Sequence, residues 1–227
     1  MASTDLAITG KELASYVVYR GPHSYDFALP TIGQLYDYLL AGNGVFIHAR
    51  KPGLNICFQI SEAEVRGLAP LESWTNFTLA RVPVGYLQKM LELSIGVCVE
   101  KEEPTETLFH LIWMETDRRW RLDKPAQTAT GGSVKPLDDG DGSSYQLATI
   151  EVHSHHQMTA FFSGQDDADE QGFRIYGVIG EIFTEPKLRV RVGCFGQFFE
   201  IPAETIFELP TAISDAHEEE NEIVETR

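Results

Sequence analysis

Apolar positions in the first 80 residues recur at two spacings, and each spacing predicts a different element. The segment TIGQLYDYLL, Thr31–Leu40, has apolar residues at helical spacing before the sequence AGNG, which predicts a helix that ends there. The next segment, GVFIHARKPGLNICFQI, predicts two short strands joined by the turn KPG. Ser61–Leu68 predicts a short helix. These elements together indicate an N-terminal α/β extension over residues 1–80.

A second series of elements begins after residue 80. PVGYLQKMLEL, Pro83–Leu93, has apolar residues on one face of a helix. Two apolar runs, Ile95–Val99 and Thr107–Met114, follow on either side of the acidic turn EKEEPTE. Arg118–Leu122 predicts a further strand. A helix followed by apolar runs of this length indicates a separate domain, which we place at residues 81–213.

Thr128–Ser144, with the sequence TATGGSVKPLDDGDGSS, has no apolar periodicity and predicts a long flexible loop inside this domain. Apolar character returns at Gln146–Val152, which predicts a strand, and three further strands are punctuated by Pro186, Gly193 and Gly196. The predicted helices and strands together indicate an α+β fold with a mixed sheet. The three later strands are predicted at Phe173–Phe183, Lys187–Phe195 and Phe198–Ile201.

Charge narrows the class of protein. Lys and Arg total 18 against 34 Asp and Glu, which gives a formal net charge of −16. A nucleic-acid-binding protein needs clustered cations to neutralise phosphates, so this balance argues against one. The segment SDAHEEENEIVETR, residues 214–227, predicts a disordered acidic tail.

The cysteines and the N-terminal residues bear on the cellular compartment of the protein. Cys57, Cys98 and Cys194 are far apart and form no CxxC pair, which favours reduced, buried thiols over a disulfide framework or a thiolate zinc site. The N-terminal residues lack the basic and apolar regions of a signal peptide. No stretch approaches the roughly 20 apolar residues of a membrane span. The sequence therefore predicts a cytoplasmic protein.

The strongest chemical signal is EVHSHHQMTAFFSGQDDADE, residues 151–170. On a strand, residues i and i+2 face the same side, so His153 and His155 would deliver two imidazoles to one point. Catalytic zinc sites usually have three protein ligands, so an HxH pair alone is a weak signal. Surface histidines beside acids are also common. Asp166 follows Ser163 and Gly164, where a short helix is expected to begin, and its carboxylate can fold back over the strand end. Ser163 fits as the cap of that helix or as a hydroxyl donor in the same cleft.

His153, Ser154, His155, Ser163 and Asp166 together form the pattern H-S-H-x7-S-x2-D. This pattern resembles the signature of the JAMM (MPN+) metalloprotease family, over roughly residues 82–210 by order of elements. The resemblance implies a cytidine-deaminase-like α/β/α sandwich (a JAB/MPN domain) and one Zn²⁺ held by His153, His155 and Asp166. It also implies that Ser163 helps to stabilise the oxyanion of a tetrahedral intermediate.

In that family an upstream Glu is the general base and opens a buried strand after the first helix. Glu106 begins ETLFHLIW in the expected order, although His110 departs from the family pattern near its usual glycine. Glu64 matches the family's letters better but precedes Ala69-Pro70 instead of a strand. Glu103 and Glu102 remain further alternatives for the base.

Other residues of the stretch receive smaller roles. His156 is expected to be structural or to lie at the rim of the cleft. Asp167, Asp169 and Glu170 are expected mostly on a solvated helix face, from which one of them could orient a ligand imidazole.

The residues HSHH and MTAFFSGQDDADE look most like the prokaryotic PRTRC-system branch of this family. In that branch a JAMM domain follows an N-terminal extension, and genes for a ubiquitin-like protein and an E1/ThiF-like protein lie in the same cluster. The resemblance thus implies a deubiquitinase-like isopeptidase that acts on the C-terminal tail of a ubiquitin-like protein. Two alternatives stay open: a non-catalytic MPN-type binding or scaffold module, and a metal-dependent hydrolase of a small conjugate or a sulfur-carrier protein.

Overall fold

The protein combines strands and helices, and its computed structural model describes residues 14–29 and 34–217. The chain divides into two compact units between Leu79 and Ala80. Most of the regular structure is β, with three α-helices in the described residues, and both larger sheets mix parallel with antiparallel pairs. The predicted α+β class with a mixed sheet is therefore confirmed.

The first unit contains a five-stranded sheet in which the strands follow chain order. Its strands are β1 Ala14–Val18, β2 Tyr36–Ala41, β3 Gly44–Lys51, β4 Leu54–Glu62 and β5 Trp74–Phe77. β1 is parallel to β2, and the later neighbours are antiparallel. The predicted pair of strands around the KPG turn is confirmed by β3 and β4.

The helix predicted at Thr31–Leu40 is wrong for the residues that the structure describes. β2 covers most of its second half, and residues 31–33 lie outside the described part. Along β2, Asp37, Leu39 and Ala41 are buried and alternate with more exposed residues, which is the period of a strand. Hydrogen bonds to β1 on one side and β3 on the other stabilise the strand over a helix.

The short helix predicted at Ser61–Leu68 is also wrong. Ser61 and Glu62 complete β4, and the residues after them form turns. The main-chain N–H of Val65 donates to the carbonyl of Gly42, at 3.0 Å, in the turn between β2 and β3. The N–H of Val65 thus bonds to a neighbouring turn and not to a carbonyl within a helix.

The second unit carries a seven-stranded sheet and a separate two-stranded hairpin. Its strands are β6 Leu108–Met114, β7 Arg119–Asp123, β8 Gln127–Ala129, β9 Val134–Pro136, β10 Ile150–Ser154, β11 Arg174–Gly180, β12 Lys187–Cys194, β13 Gln197–Ile201 and β14 Ser214–Asp215. The large sheet has the order β13-β12-β11-β10-β6-β7, with β14 beside β12. β10 is parallel to β11 and antiparallel to β6, so it lies in the interior of the sheet.

The described residues of the second unit form three α-helices, α1 Val84–Lys101, α2 Ser144–Leu147 and α3 Gly164–Asp169, and a 3-10 helix at Ala203–Thr205. The helix predicted at Pro83–Leu93 is confirmed, but α1 continues through the apolar run Ile95–Val99 and ends only at Lys101. The strand predicted from Gln146 begins later, because Gln146 and Leu147 close α2. None of the helices in the described ranges has the length and apolar character needed to cross a membrane.

The flexible loop predicted at Thr128–Ser144 is wrong in part, because β8 and β9 form an antiparallel hairpin there. We call residues 127–136 the hairpin. Its turn lies at Gly131 and Gly132, and the N–H of Thr130 donates to the carbonyl of Ser133 at 2.9 Å. The composition of the segment indicated a loop, whereas its fixed conformation comes from contacts with distant residues.

The disordered tail predicted from Ser214 is also corrected at its start. β14 pairs with β12, and the buried carboxylate of Asp215 accepts a hydrogen bond from the N–H of Ala203 at 2.6 Å. Residues 218–227 of the predicted tail lie outside the described residues.

Candidate metal centre

β10 brings two histidines to one side of the sheet. His153 lies in the strand and His155 just beyond its end, where the N–H of His155 donates to the carbonyl of Ile179 on β11 at 2.8 Å. This bond keeps the backbone extended, so the alternation of side chains continues past the strand. The two Nε2 atoms are 3.3 Å apart, and both imidazoles are buried.

Asp166 reaches the same point from helix α3. Ser163 is the N-cap of this helix, and the two residues form a capping box. The Oδ2 atom of Asp166 accepts hydrogen bonds from the N–H and the hydroxyl of Ser163, at 2.6 and 2.7 Å. The other oxygen, Oδ1, lies 3.5 Å from Nε2 of His153. The cap therefore holds one carboxylate oxygen and directs the other toward the histidines.

The three side chains form a group that could hold a metal ion. One ligand atom from each of His153, His155 and Asp166 lies within 4.8 Å of the other two. Nδ1 of His155 is 3.1 Å from the carbonyl of Thr159, which can only accept a hydrogen bond. The proton of a neutral His155 ring is thus on Nδ1, and the lone pair of Nε2 points at His153. A cation bound by both Nε2 atoms would make their close approach favourable.

Burial sets the protonation of this group. It lowers the pKa of His153 to about 4 and lowers that of His155 as well. Burial opposes ionisation of Asp166, but the neighbouring His153 and the two hydrogen bonds from Ser163 outweigh it and lower the pKa of the carboxyl. Near neutral pH the group therefore offers two neutral imidazoles and one carboxylate, which is the state in which these side chains bind metals.

Glu106 is the fourth member of the cluster. It lies just before β6, which is antiparallel to β10, and its N–H donates to the carbonyl of Thr130 in the hairpin at 2.8 Å. Its side chain is 3% exposed, and Oε1 lies 3.7 Å from Nε2 of His155. Burial, followed by the charge of Asp166, raises the pKa of Glu106 to about 7. A carboxyl group with this pKa can both accept and release a proton near neutral pH.

The alternative bases differ from Glu106 in being exposed. Glu102 ends α1 in the left-handed conformation with φ 56°, and both it and Glu103 are exposed. Glu64 belongs to the first unit, is exposed and lies 3.9 Å from Arg66. Of the three candidates in the second unit, Glu106 is the one that the structure brings beside the histidines.

His156 contacts the hairpin. Its Nδ1 accepts from the N–H of Gln157 at 2.8 Å, and its Nε2 is 2.8 Å from the carbonyl of Gly131. Both ring nitrogens are thus engaged with the main chain, which fits the structural role expected for His156. Neither of them is available to a metal.

Asp167 and Asp169 contact cations instead of an imidazole. The solvated position expected for Glu170 is wrong, because its side chain is 5% exposed and pairs with the buried Arg191. Asp167 accepts from Arg191 at 2.6 Å, and Asp169 pairs with Lys135 of the hairpin at 2.8 Å. Their contacts fasten α3 to β12 and to the hairpin.

Two further contacts support the group, and each joins residues that are distant in the sequence. Arg191 is buried between the rings of Phe162 and Phe198, at 3.9 and 3.7 Å from their centroids, and it pairs with Glu170 at the end of α3. The Oγ atom of Ser154 accepts from the N–H of Thr107 at 3.1 Å. The contacts of Arg191 hold α3, which carries Asp166. The bond between Thr107 and Ser154 holds the chain between Glu106 and β6.

We expect Ser163→Ala to weaken metal binding through Asp166. Loss of the hydroxyl removes one of the two bonds to Oδ2, and loss of an outer partner of this kind typically costs 10- to 100-fold in metal affinity. Loss of the cap should also lower the free energy of unfolding by about 1 kcal/mol. Competition titration with Zn²⁺ and a chelator, together with urea unfolding, measures both effects.

Ser163→Thr is the matched control, because threonine keeps the hydroxyl and caps helices nearly as well. Equal affinities of the alanine variant and the wild type would show that the cap does not hold a ligand.

The fold and the cluster define an α+β protein with a buried His-His-Asp group that could hold a metal ion. No protein-family model matches the chain, and none of the curated proteins matches it.

Proposed function

We propose that the protein is a zinc-dependent metallopeptidase of the JAMM type, which hydrolyses an amide or isopeptide bond. One observation carries this proposal: His153, His155 and Asp166 converge, and the buried carboxyl of Glu106 lies 3.7 Å from His155. A His-His-Asp ligand set beside a carboxyl base is the arrangement that metal-assisted hydrolysis requires. The order of α1, β6, β10 and α3 also supports a cytidine-deaminase-like sandwich for the second unit.

The donor set fits zinc. When two nitrogens bind the same tetrahedral zinc ion at about 2.0–2.1 Å, they lie about 3.3 Å from each other. The Nε2 atoms of His153 and His155 have this separation, 3.3 Å. Three protein ligands leave one position for water or substrate, as in catalytic zinc sites. When bound, zinc lowers the pKa of water and polarises the carbonyl group under attack.

The residues of the chain would divide the proton chemistry between them. Glu106 takes a proton from the attacking water and later delivers it to the leaving amine, a role that its pKa of about 7 suits. The hydroxyl of Ser163 donates to Asp166 in the structure. For Ser163 to donate to a developing oxyanion, its hydroxyl must rotate away from that carboxylate, so the role expected from the family stays a prediction.

The substrate class rests on resemblance. In the PRTRC-system branch the neighbouring genes suggest the C-terminal tail of a ubiquitin-like or sulfur-carrier-like protein as substrate and an E1/ThiF-like protein as partner. We propose the same substrate and partner here.

The test combines metal content with hydrolysis. The full chain should contain about one zinc per molecule, and it should release a reporter joined by an amide bond to the C-terminal tail of a ubiquitin-like protein. A chelator should stop the release and added Zn²⁺ should restore it. Zinc without hydrolysis of any such tail would favour a binding module, and failure to take up zinc at neutral pH would overturn the proposal.

A further inference from the structure

The second unit contains a small pocket whose lining includes none of the four residues of the cluster. Its volume is about 210 Å³, and its apolar wall is formed by Cys98, Val99, Pro104 and Phe183. Val99 is 67% and Phe183 46% exposed, so both side chains are accessible to a ligand. Ligand pockets for whole small molecules measure about 300–1,000 Å³. The pocket is therefore of the size to receive one long side chain.

The segments that line this pocket also carry the candidate catalytic residues. Pro104 lies two residues before Glu106, and Gln157, another lining residue, lies two residues after His155. Phe183 follows Ile182, whose N–H donates to the carbonyl of His156 at 3.0 Å. The pocket is thus formed by the chain segments that carry Glu106 and His155.

Two acids form the rim of the pocket. Glu102 and Glu103 line it, both are exposed, and neither carboxylate has an ion-pair partner among the described residues. Glu102 is fixed in place because it ends α1, with its N–H 3.3 Å from the carbonyl of Val99. An apolar wall below two unpaired carboxylates complements a side chain that has an aliphatic stem and a cationic head.

We propose that this pocket binds a lysine or arginine side chain of the substrate, on the leaving-group side of the scissile bond. The inference rests on the proposed function, because Glu106 must lie next to the leaving amine in order to protonate it. The residues that follow that amine then pass the Pro104 side of the cluster, where the pocket opens. The stem of the side chain contacts Val99 and Phe183, and its head lies between Glu102 and Glu103.

A binding experiment tests the pocket without any need for turnover. Pentylammonium represents the lysine side chain, and 1-pentanol has the same stem without the charge. Amide chemical shifts of the full chain should place both probes near Val99 and Gln157. Pentylammonium should bind about three- to tenfold more tightly at low salt, because the two carboxylates that line the pocket attract it.

The double variant Glu102→Gln/Glu103→Gln should bring this ratio close to one while 1-pentanol binds as before. Glu204→Gln/Glu208→Gln is the matched control, since it removes two exposed acids of the same unit away from the pocket and should keep the ratio. Surface changes of this kind alter stability by only about 0.5 kcal/mol, so the variants should fold.

A ratio near one in the wild type, or shifts that map elsewhere, would overturn the assignment of the pocket. Zinc content and hydrolysis of the reporter do not depend on this result, so the two proposals fail separately.

Discussion

Replacement of both His153 and His155 by alanine should abolish zinc binding. The wild type should carry about one zinc per chain, and the double variant less than about 0.1, because two of the three ligand atoms in the group are lost. Zinc at 1,000 times its dissociation constant should stabilise the wild type by about 4 kcal/mol, since it binds the folded state alone. The double variant should show no such stabilisation. Elemental analysis and thermal unfolding with and without Zn²⁺ measure both effects.

His156→Ala is the matched control for this experiment. His156 is buried and adjacent in sequence, but both of its ring nitrogens contact the main chain. Its removal should therefore lower stability while it leaves the zinc content near one. Full zinc content in the double variant would locate the metal elsewhere and remove the basis of the proposed function.

Glu106→Gln should retain zinc and lose hydrolysis. The amide keeps the shape of the side chain but cannot take a proton from water, and general acid–base catalysis typically contributes 10²- to 10⁴-fold to a rate. We expect kcat/KM for release of the tail reporter to fall within that range. The metal should remain, because the ligand group consists of His153, His155 and Asp166. Zinc content and steady-state kinetics on the same preparation separate the two effects.

Glu64→Gln is a fitting control, because Glu64 matches the letters of the family motif but is exposed in the first unit. It should have the activity of the wild type. If Glu64→Gln abolished hydrolysis and Glu106→Gln did not, the assignment of the base from the geometry would be wrong.

The ligand group was predictable because it is local in the chain. His153 and His155 are two residues apart on a strand, and Asp166 is only 13 residues from His153. A two-residue period and a helix cap are both visible in the sequence, and the structure brings these side chains together. The position of Glu106 is harder to predict from the sequence, since its place beside His155 depends on the antiparallel pairing of β6 with β10.

The wrong helix prediction at Thr31–Leu40 has a physical cause. In TIGQLYDYLL the apolar residues fit both a helix and a strand, and only pairing with β1 and β3 decides between the two. Short apolar segments are ambiguous in this way whenever tertiary contacts outweigh local preference. Arg191 was missed for a related reason. Its partner Glu170 is 21 residues away, and no local pattern connects them.

The hairpin of residues 127–136 has a consequence for redesign of the protein. Its composition would make it the first segment to shorten or replace. Yet the carbonyl of Thr130 accepts from the buried Glu106 N–H, Gly131 contacts His156, and Lys135 pairs with Asp169. Removal of the hairpin would leave the Glu106 N–H without this acceptor, and an unsatisfied buried donor costs about 1–3 kcal/mol. Foreign sequence is better grafted into the turn of β6 and β7 at Thr116–Arg118, where the side chains are exposed.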